Sequence, residues 1–79
     1  MIRERVIFKQ GDKVKVCYRH GQSFEGTVVT FENRGGFDWV DVRPNDPRYI
    51  STFGSARDMA RGWKTYIAND DVLGKVFPI

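Results

Sequence analysis

Alternation of apolar and polar residues near the start of the chain is the feature that most limits the fold. In residues 13–19, Val14, Val16 and Tyr18 fall on one face. The opposite face carries Lys13, Lys15, Cys17 and Arg19. Successive side chains of a β-strand point to opposite sides, so this period of two predicts a strand with one buried face and one basic face.

A Gly-Gly turn organises the next part of the chain. Residues 23–33 are rich in β-branched and aromatic residues and predict a long strand, in which Gly26 marks a bulge or a tight bend. The segment 33–36 predicts a hairpin turn, because its two glycines adopt positive φ without steric cost. Residues 37–43 then predict the partner strand, with its valines facing the core. The opposite face of that strand would carry Trp39, Asp41 and Arg43.

Residues 44–63 are the least regular segment, and we interpret them as an insertion before the fourth strand. They predict a short strand at 49–53 and a two-turn helix at 55–62, which begins with a serine N-cap and ends at a glycine. This helix would place Arg57 and Arg61 on one face, since residues four apart are neighbours on a helix. An apolar stripe would dock the helix on the sheet, formed by Ala56, Met59 and Ala60.

The last part of the chain predicts two further strands. They cover residues 64–68 and 74–78, and a tight turn at 69–73 separates them. Residues 3–8 predict either an edge strand or a loose arm. Outside the 44–63 insertion, the barrel itself is therefore expected to contain five strands.

The length of the chain limits it to one domain over residues 1–79. A chain of 79 residues, 41% of them hydrophobic, supports one small core and is too short for a two-halved dinucleotide-binding fold. No apolar run approaches the roughly 20 residues of a membrane span, and residues 1–5 do not begin a signal peptide. A single cysteine can form no internal disulfide. We therefore expect a cytoplasmic domain with no membrane contact.

Five short strands, with a Gly-Gly hairpin and a tight turn before the last strand, indicate a small β-barrel. The chain resembles the SH3-like barrel superfamily, and three stretches carry the resemblance: Gly-Asp-Lys-Val-Lys-Val at 11–16, Phe-Glu-Gly-Thr-Val-Val at 24–29 and Tyr-Ile-Ala-Asn-Asp-Asp-Val-Leu at 66–73. The second stretch is similar to the first hairpin of the KOW and Tudor-like branches. The resemblance implies a mainly β, five-stranded SH3-like barrel, with a short helix in the 44–63 insertion. It also implies binding of nucleic acid, of ribosomal or polymerase proteins or of modified peptides, and such barrels are frequent among bacteriophage and plasmid accessory proteins.

Catalytic chemistry has little support in the sequence. His20 is the single histidine and lies in a glycine-flanked turn, where no positioned partner for acid–base chemistry is evident. Cys17 is better interpreted as a small strand residue than as a nucleophile. Asp70 and Asp71 supply far fewer oxygens than the roughly six to eight of a calcium site, so we interpret them as capping a turn. We expect no enzyme activity, no metal, no cofactor and no small-molecule substrate.

The distribution of charge indicates binding to an anionic partner. The net charge is only +3, but residues 1–24 carry +4, residues 25–42 carry −3 and residues 43–64 carry +3. Cations on rigid elements beside an exposed aromatic ring are typical of DNA or RNA binding. We predict this role for Lys13, Lys15, Arg19, Trp39, Arg43, Arg57 and Arg61. The alternative for these cations is an ordinary solvated surface.

A protein-interaction module is the alternative function. The chain has eleven aromatic residues, more than so small a core can hold. The core is predicted to take Tyr18, Phe24, Phe31 and Phe77, and partial exposure is predicted for Phe37, Trp39, Tyr49, Trp63 and Tyr66. Trp39 is either exposed or covered by the 44–63 insertion. A host bacterial protein, such as transcription or nucleoid machinery, would dock on a hot spot formed by Phe37, Trp39, Tyr49, Phe53 and Trp63.

Overall fold

One antiparallel sheet of five strands dominates the computed structural model, which describes residues 7–68 and 74–79. The strands are β1 (Lys13–Cys17), β2 (Ser23–Arg34), β3 (Phe37–Pro44), β4 (Lys64–Ile67) and β5 (Lys75–Pro78). Their order across the sheet is β4-β3-β2-β1-β5, and every neighbouring pair is antiparallel. The predicted mainly β class with five strands is confirmed.

The hairpin between β2 and β3 is the longest paired element of the sheet. It turns at Gly35 and Gly36, whose φ angles of 62° and 82° lie in the region that the predicted turn requires. Pairing runs from Arg34 opposite Phe37 to Gly26 opposite Pro44. The molecule is correspondingly elongated, with extents of 39 × 25 × 24 Å.

Gly26 does not mark a bulge, which was one of its two predicted roles. The irregularity in the β2–β3 pairing lies between Val28 and Thr30 instead. At Gly26 the two strands approach closely, since a Cβ atom there would lie 2.6 Å from both the carbonyl oxygen of Arg43 and a methyl carbon of Val42. The glycine is therefore required by its close approach to the backbone and to a side-chain methyl group of β3.

The segment between β3 and β4 contains two short helices. A 3₁₀ helix, Pro47–Phe53, occupies the place of the strand predicted at 49–53, so that prediction is wrong. The helix α1 (Ala56–Arg61) lies where it was predicted, with Ser55 as its N-cap and Gly62 in the left-handed conformation at its end. No residue of α1 is buried, so the predicted docking by its apolar stripe is also wrong, and α1 instead contacts the 3₁₀ helix.

The core fills the inner face of the sheet and includes one residue from the segment between β3 and β4. Its buried hydrophobic residues are Phe8, Val14, Val16, Phe24, Val28, Val40, Val42, Phe53, Tyr66, Ala68 and Val76, with Tyr18, Phe31, Tyr49 and Ile50 packed against them. Two assignments of aromatic residues are wrong. Tyr66, predicted to be partly exposed, is completely buried, and Phe77, predicted to be in the core, is 45% exposed. Phe8 fills the core position next to Phe31, with its ring packed edge-on at 5.8 Å.

The edge strands β4 and β5 approach each other at one end. The backbone N–H of Val76 donates to the carbonyl of Ala68 at 3.2 Å, immediately after β4 ends. Strand pairing within the described residues does not join β4 to β5, so the closed barrel stays a prediction. The turn predicted at 69–73, and most of the segment predicted at 3–8, lie outside the described residues.

Candidate functional site

The strand β3 presents several of the predicted binding residues on the outer face of the sheet, the face opposite the core. Val40 and Val42 are fully buried. The alternate positions point outward, as predicted, and carry Phe37, Trp39, Asp41 and Arg43. Because a strand rises about 3.4 Å per residue, these outward side chains follow one another at intervals of about 7 Å and span about 20 Å.

The hairpin end of this line combines two aromatic rings with a guanidinium group. Arg34 lies opposite Phe37, and its guanidinium carbon is 5.2 Å from the centre of the Trp39 ring. The indole N–H of Trp39 donates to the carbonyl of Arg34 at 3.2 Å, and the Phe37 ring packs edge-on to the indole at 6.2 Å. Phe37 is 53% exposed and Trp39 is partly exposed. These ring contacts of Trp39 come from its own hairpin.

The other end of the line lies where β4 begins. The guanidinium groups of Arg43 and Arg61 lie 5.8 Å and 5.2 Å from the centre of the Trp63 ring. Arg61 also binds the Asp58 carboxylate at 2.5 Å, and its Nε donates to the carbonyl of Trp63 at 3.5 Å. Its side chain is only 27% exposed. Arg61 therefore fixes Trp63 in place. The prediction placed Arg61 beside Arg57 on one face of the helix and did not include this contact.

Together these residues form a cation–aromatic stripe on the outer face. We use this name for Arg34, Phe37, Trp39, Arg43, Arg61 and Trp63. Cations over aromatic faces contribute about 0.5–1 kcal/mol each at exposed sites, so the pairs hold the rings in defined positions. The stripe brings together five of the predicted site residues, and it adds Arg34, which was not predicted. A signal for Arg34 existed in the hairpin register, since it precedes the turn and must face Phe37.

The centre of the outer face is occupied by a carboxylate. Thr30 on β2 and Thr65 on β4 both lie opposite Asp41. The Thr30 hydroxyl donates to one carboxylate oxygen at 2.6 Å, and the Thr65 hydroxyl donates to the other at 2.5 Å. These two hydrogen bonds hold the carboxylate of Asp41 in a fixed orientation across three strands.

The predicted basic residues of β1 lie beside this stripe. Lys13 and Lys15 are exposed on β1, and Arg19 is exposed just beyond its end. Lys13 lies opposite Thr27, which lies opposite Arg43 on the next strand. With neighbouring strands about 4.8 Å apart, the backbone of Lys13 is about 10 Å from that of Arg43. Lys13 thus continues the stripe sideways.

A shallow groove lies on the far side of β1 from the stripe. It is lined by Cys17, Tyr18, Arg19, Lys75 and Phe77. Phe77 pairs opposite Lys15, and Lys75 pairs opposite Cys17. Neither β5 residue was predicted to lie on a binding surface, since four residues are too few for alternation to define the faces of the strand.

Three predicted site residues lie elsewhere. Phe53 is 4% exposed, so it is a core residue and cannot serve as the exposed contact that we predicted. Tyr49 is half-buried and stacks on Phe24, with ring centres 5.7 Å apart. Arg57 is exposed on α1, and its guanidinium group is not among those of the described residues that lie over a ring of the stripe.

The buried Tyr66 and the partly buried Tyr18 connect β4 to the residue that follows β1. The hydroxyls of Tyr18 and Tyr66 hydrogen-bond to each other, and Tyr18 also stacks on His20 with ring centres 5.5 Å apart. Burial raises the pKa of Tyr18 and that of Tyr66. Both phenols therefore stay protonated at neutral pH, and their hydrogen bond links the two elements.

The structure supplies few signs of other chemistry. Within residues 7–68 and 74–79, no three or more His, Cys, Asp or Glu side chains are grouped so that they could hold a metal ion. None of the helices described is both long enough and apolar enough for a membrane crossing. Comparisons of the chain with protein-family models, with curated proteins and with solved structures give no match.

Proposed function

We propose that the protein binds single-stranded nucleic acid along the cation–aromatic stripe. The observation that carries this proposal is the exposed Phe37 ring beside the partly exposed Trp39, whose ring centre lies 5.2 Å from the guanidinium carbon of Arg34. Proteins that bind single strands combine cations, which contact the backbone, with aromatic rings on which bases stack. Each stacked base contributes about 1–3 kcal/mol.

The roles within the stripe follow from exposure. Phe37 and Trp39 offer rings on which bases can stack, since both keep part of their surface open to solvent. Arg34 lies on β2 opposite Phe37, at one end of the outward line of β3, and Arg43 lies at the other end. Lys13 extends the positive charge towards β1. These three cations would contact phosphates. A duplex fits less well, because its bases are already stacked on each other.

The proposal also includes the closure of the sheet into a barrel. The strand order and the hydrogen bond from Val76 to Ala68 support a curled, SH3-like barrel. In this proposal the protein is a phage or plasmid accessory protein that acts in the cytoplasm through binding alone, without catalysing a reaction on a small molecule.

A host bacterial protein, such as transcription or nucleoid machinery, is the second candidate partner. The observation that favours it is the composition of the stripe at the hairpin end, because tryptophan and arginine are typical of protein hot spots and Arg34 is exposed beside the partly exposed Trp39. The exposed ring of Phe37 would then fill a pocket on the partner.

A titration with a fluorescent oligothymidylate of about eight nucleotides tests the proposal, since a fold of this size covers a few nucleotides. We expect micromolar or tighter binding at low salt, weaker binding to a duplex of the same length, and a steep loss of affinity between about 50 and 200 mM salt. Absence of binding at low salt contradicts nucleic-acid binding. In that case, a host protein that is captured by the wild type and lost in Phe37→Ser supports the second candidate.

A further inference from the structure

The carboxylate of Asp41 interrupts the cation–aromatic stripe at its centre. It lies between Trp39 and Arg43 on the outward line of β3, about 7 Å from each along the strand. Within the described part of the chain, no lysine or arginine side chain forms an ion pair with it. A surface built only to attract phosphates would place no negative charge at this point, since the carboxylate repels them.

The two threonines prepare this carboxylate to accept hydrogen bonds from a ligand. The hydroxyls of Thr30 and Thr65 each bind a different oxygen of Asp41. An ionised carboxylate has about four acceptor positions, so each oxygen keeps a free one. The side chain is on the outward line of β3 and is only partly buried. Asp41 thus offers two adjacent acceptors in a fixed orientation and no donor.

Among the bases, guanine matches this pair of acceptors. Its Watson–Crick edge presents two neighbouring donors, the ring N1–H and the exocyclic N2 amino group. Thymine and uracil present one N–H between two carbonyl oxygens, which the carboxylate repels. Adenine and cytosine present one amino group next to an acceptor nitrogen. A bidentate contact between a carboxylate and guanine is therefore the best fit.

We propose that Asp41 is a specificity-determining residue that selects guanine in single-stranded nucleic acid. The inference rests on the proposed function, because stacking on Trp39 is what brings a base edge to the carboxylate. Thr30 and Thr65 are positioning residues, since they act on the base only through Asp41.

The first test uses the wild-type protein with three oligonucleotides of equal length, in a lithium buffer that suppresses guanine quadruplexes. One contains thymine alone, one alternates thymine with guanine, and one alternates thymine with hypoxanthine, which lacks the N2 amino group. A well-formed bidentate contact discriminates by about tenfold. We expect the guanine oligonucleotide to bind about tenfold more tightly than oligothymidylate, and the hypoxanthine oligonucleotide to lose most of that gain.

The second test compares Asp41→Asn with Glu25→Gln, which removes the same charge from the outer face of β2, opposite Lys15. We expect Asp41→Asn to bind oligothymidylate at least as well as the wild type and to lose the preference for guanine. Glu25→Gln should keep that preference. Equal affinity of the wild-type protein for all three oligonucleotides overturns the role of Asp41 but leaves the proposed function standing, whereas no binding to any of them overturns both.

Discussion

The two tryptophans of the stripe have the same kind of partner but differ in how that partner is held. At the hairpin end, Arg34 lies over Trp39 with its side chain 65% exposed, and its nearest acidic group is Glu32 at 3.9 Å. At the other end, Arg61 lies over Trp63 with its side chain 27% exposed and is bound to Asp58 at 2.5 Å. The hairpin end is therefore open to a ligand, whereas the other end stabilises the fold.

The physical reason for this difference is solvation. An exposed ion pair such as that of Arg34 with Glu32 contributes about 0–1 kcal/mol, so Arg34 can exchange its partner for a phosphate at little cost. Arg61 is more buried and also hydrogen-bonds the backbone of Trp63, so releasing it would lose several contacts at once. We therefore expect changes at the hairpin end to reduce binding and changes at the other end to reduce stability.

The largest effect is expected for Trp39→Ala. Loss of a stacking surface should lower the affinity for oligothymidylate about tenfold or more, because one stacked base contributes about 1–3 kcal/mol. Fluorescence anisotropy measures this change. Phe77→Ala is the matched control, since it removes an exposed ring from β5, outside the stripe. Equal losses in the two variants would contradict a role specific to Trp39.

The next effect concerns Trp63→Ala, which removes the contacts with Arg43 and Arg61. We expect it to lower the free energy of unfolding by about 1–2 kcal/mol, through lost packing and two lost cation–π contacts. Urea denaturation followed by circular dichroism measures this value. The affinity for oligothymidylate should fall less than it does in Trp39→Ala. If Trp63→Ala lowered the free energy of binding more than the free energy of unfolding, both ends of the stripe would bind the ligand.

Substitution of Arg34 or Arg61 is expected to have a smaller effect than substitution of the tryptophans. Arg34→Ala should weaken oligonucleotide binding several-fold and leave stability nearly unchanged, because its ion pair is exposed. Arg61→Ala should lower the free energy of unfolding by about 1 kcal/mol, since it breaks a half-buried pair and leaves Asp58 without this partner. Parallel binding and urea titrations of both variants distinguish the two outcomes. If Arg34→Ala lowered stability and Arg61→Ala lowered affinity instead, our assignment of the two ends would be wrong.

The smallest effect is expected for Lys13→Gln, at the edge of the surface. One lost phosphate contact should weaken binding about two- to threefold and reduce the salt dependence of binding by about one unit of slope. Affinities measured at several salt concentrations provide that slope. Arg57→Gln is the control, because it removes the same charge from a helix that is not part of the sheet. The same decrease in slope in both variants would indicate a nonspecific effect of net charge.

The outward line of β3 could be predicted from sequence because two valines define the inner face and a strand has a period of two. The ends of α1 could be predicted because a serine and a glycine cap it. The strand predicted at 49–53 failed, because Asp46 and Pro47 begin a 3₁₀ helix despite the β-branched and aromatic residues that follow. Local composition could not outweigh this cap.

Other features depend on contacts between distant parts of the chain. Phe77 was assigned to the core because β5 is only four residues long, too short for alternation to define its faces. Tyr66 is buried because its hydroxyl finds a partner in Tyr18, 48 residues away in the sequence. The contact of Arg61 with Trp63 requires the left-handed Gly62 between them. No pattern within one element indicates such contacts.

A nitrogen–proton NMR titration with oligothymidylate tests the central claim most directly, because the two indole N–H groups report on both ends of the stripe in one spectrum. The Trp39 signal reports on a group that donates to the carbonyl of Arg34 beside the proposed stacking site. We predict that this signal shifts strongly and saturates with the ligand, together with the backbone amides of Phe37 and Asp41, while the Trp63 signal moves less. Saturating shifts confined to the groove at Cys17 and Phe77, or no shifts at low salt, would contradict the account.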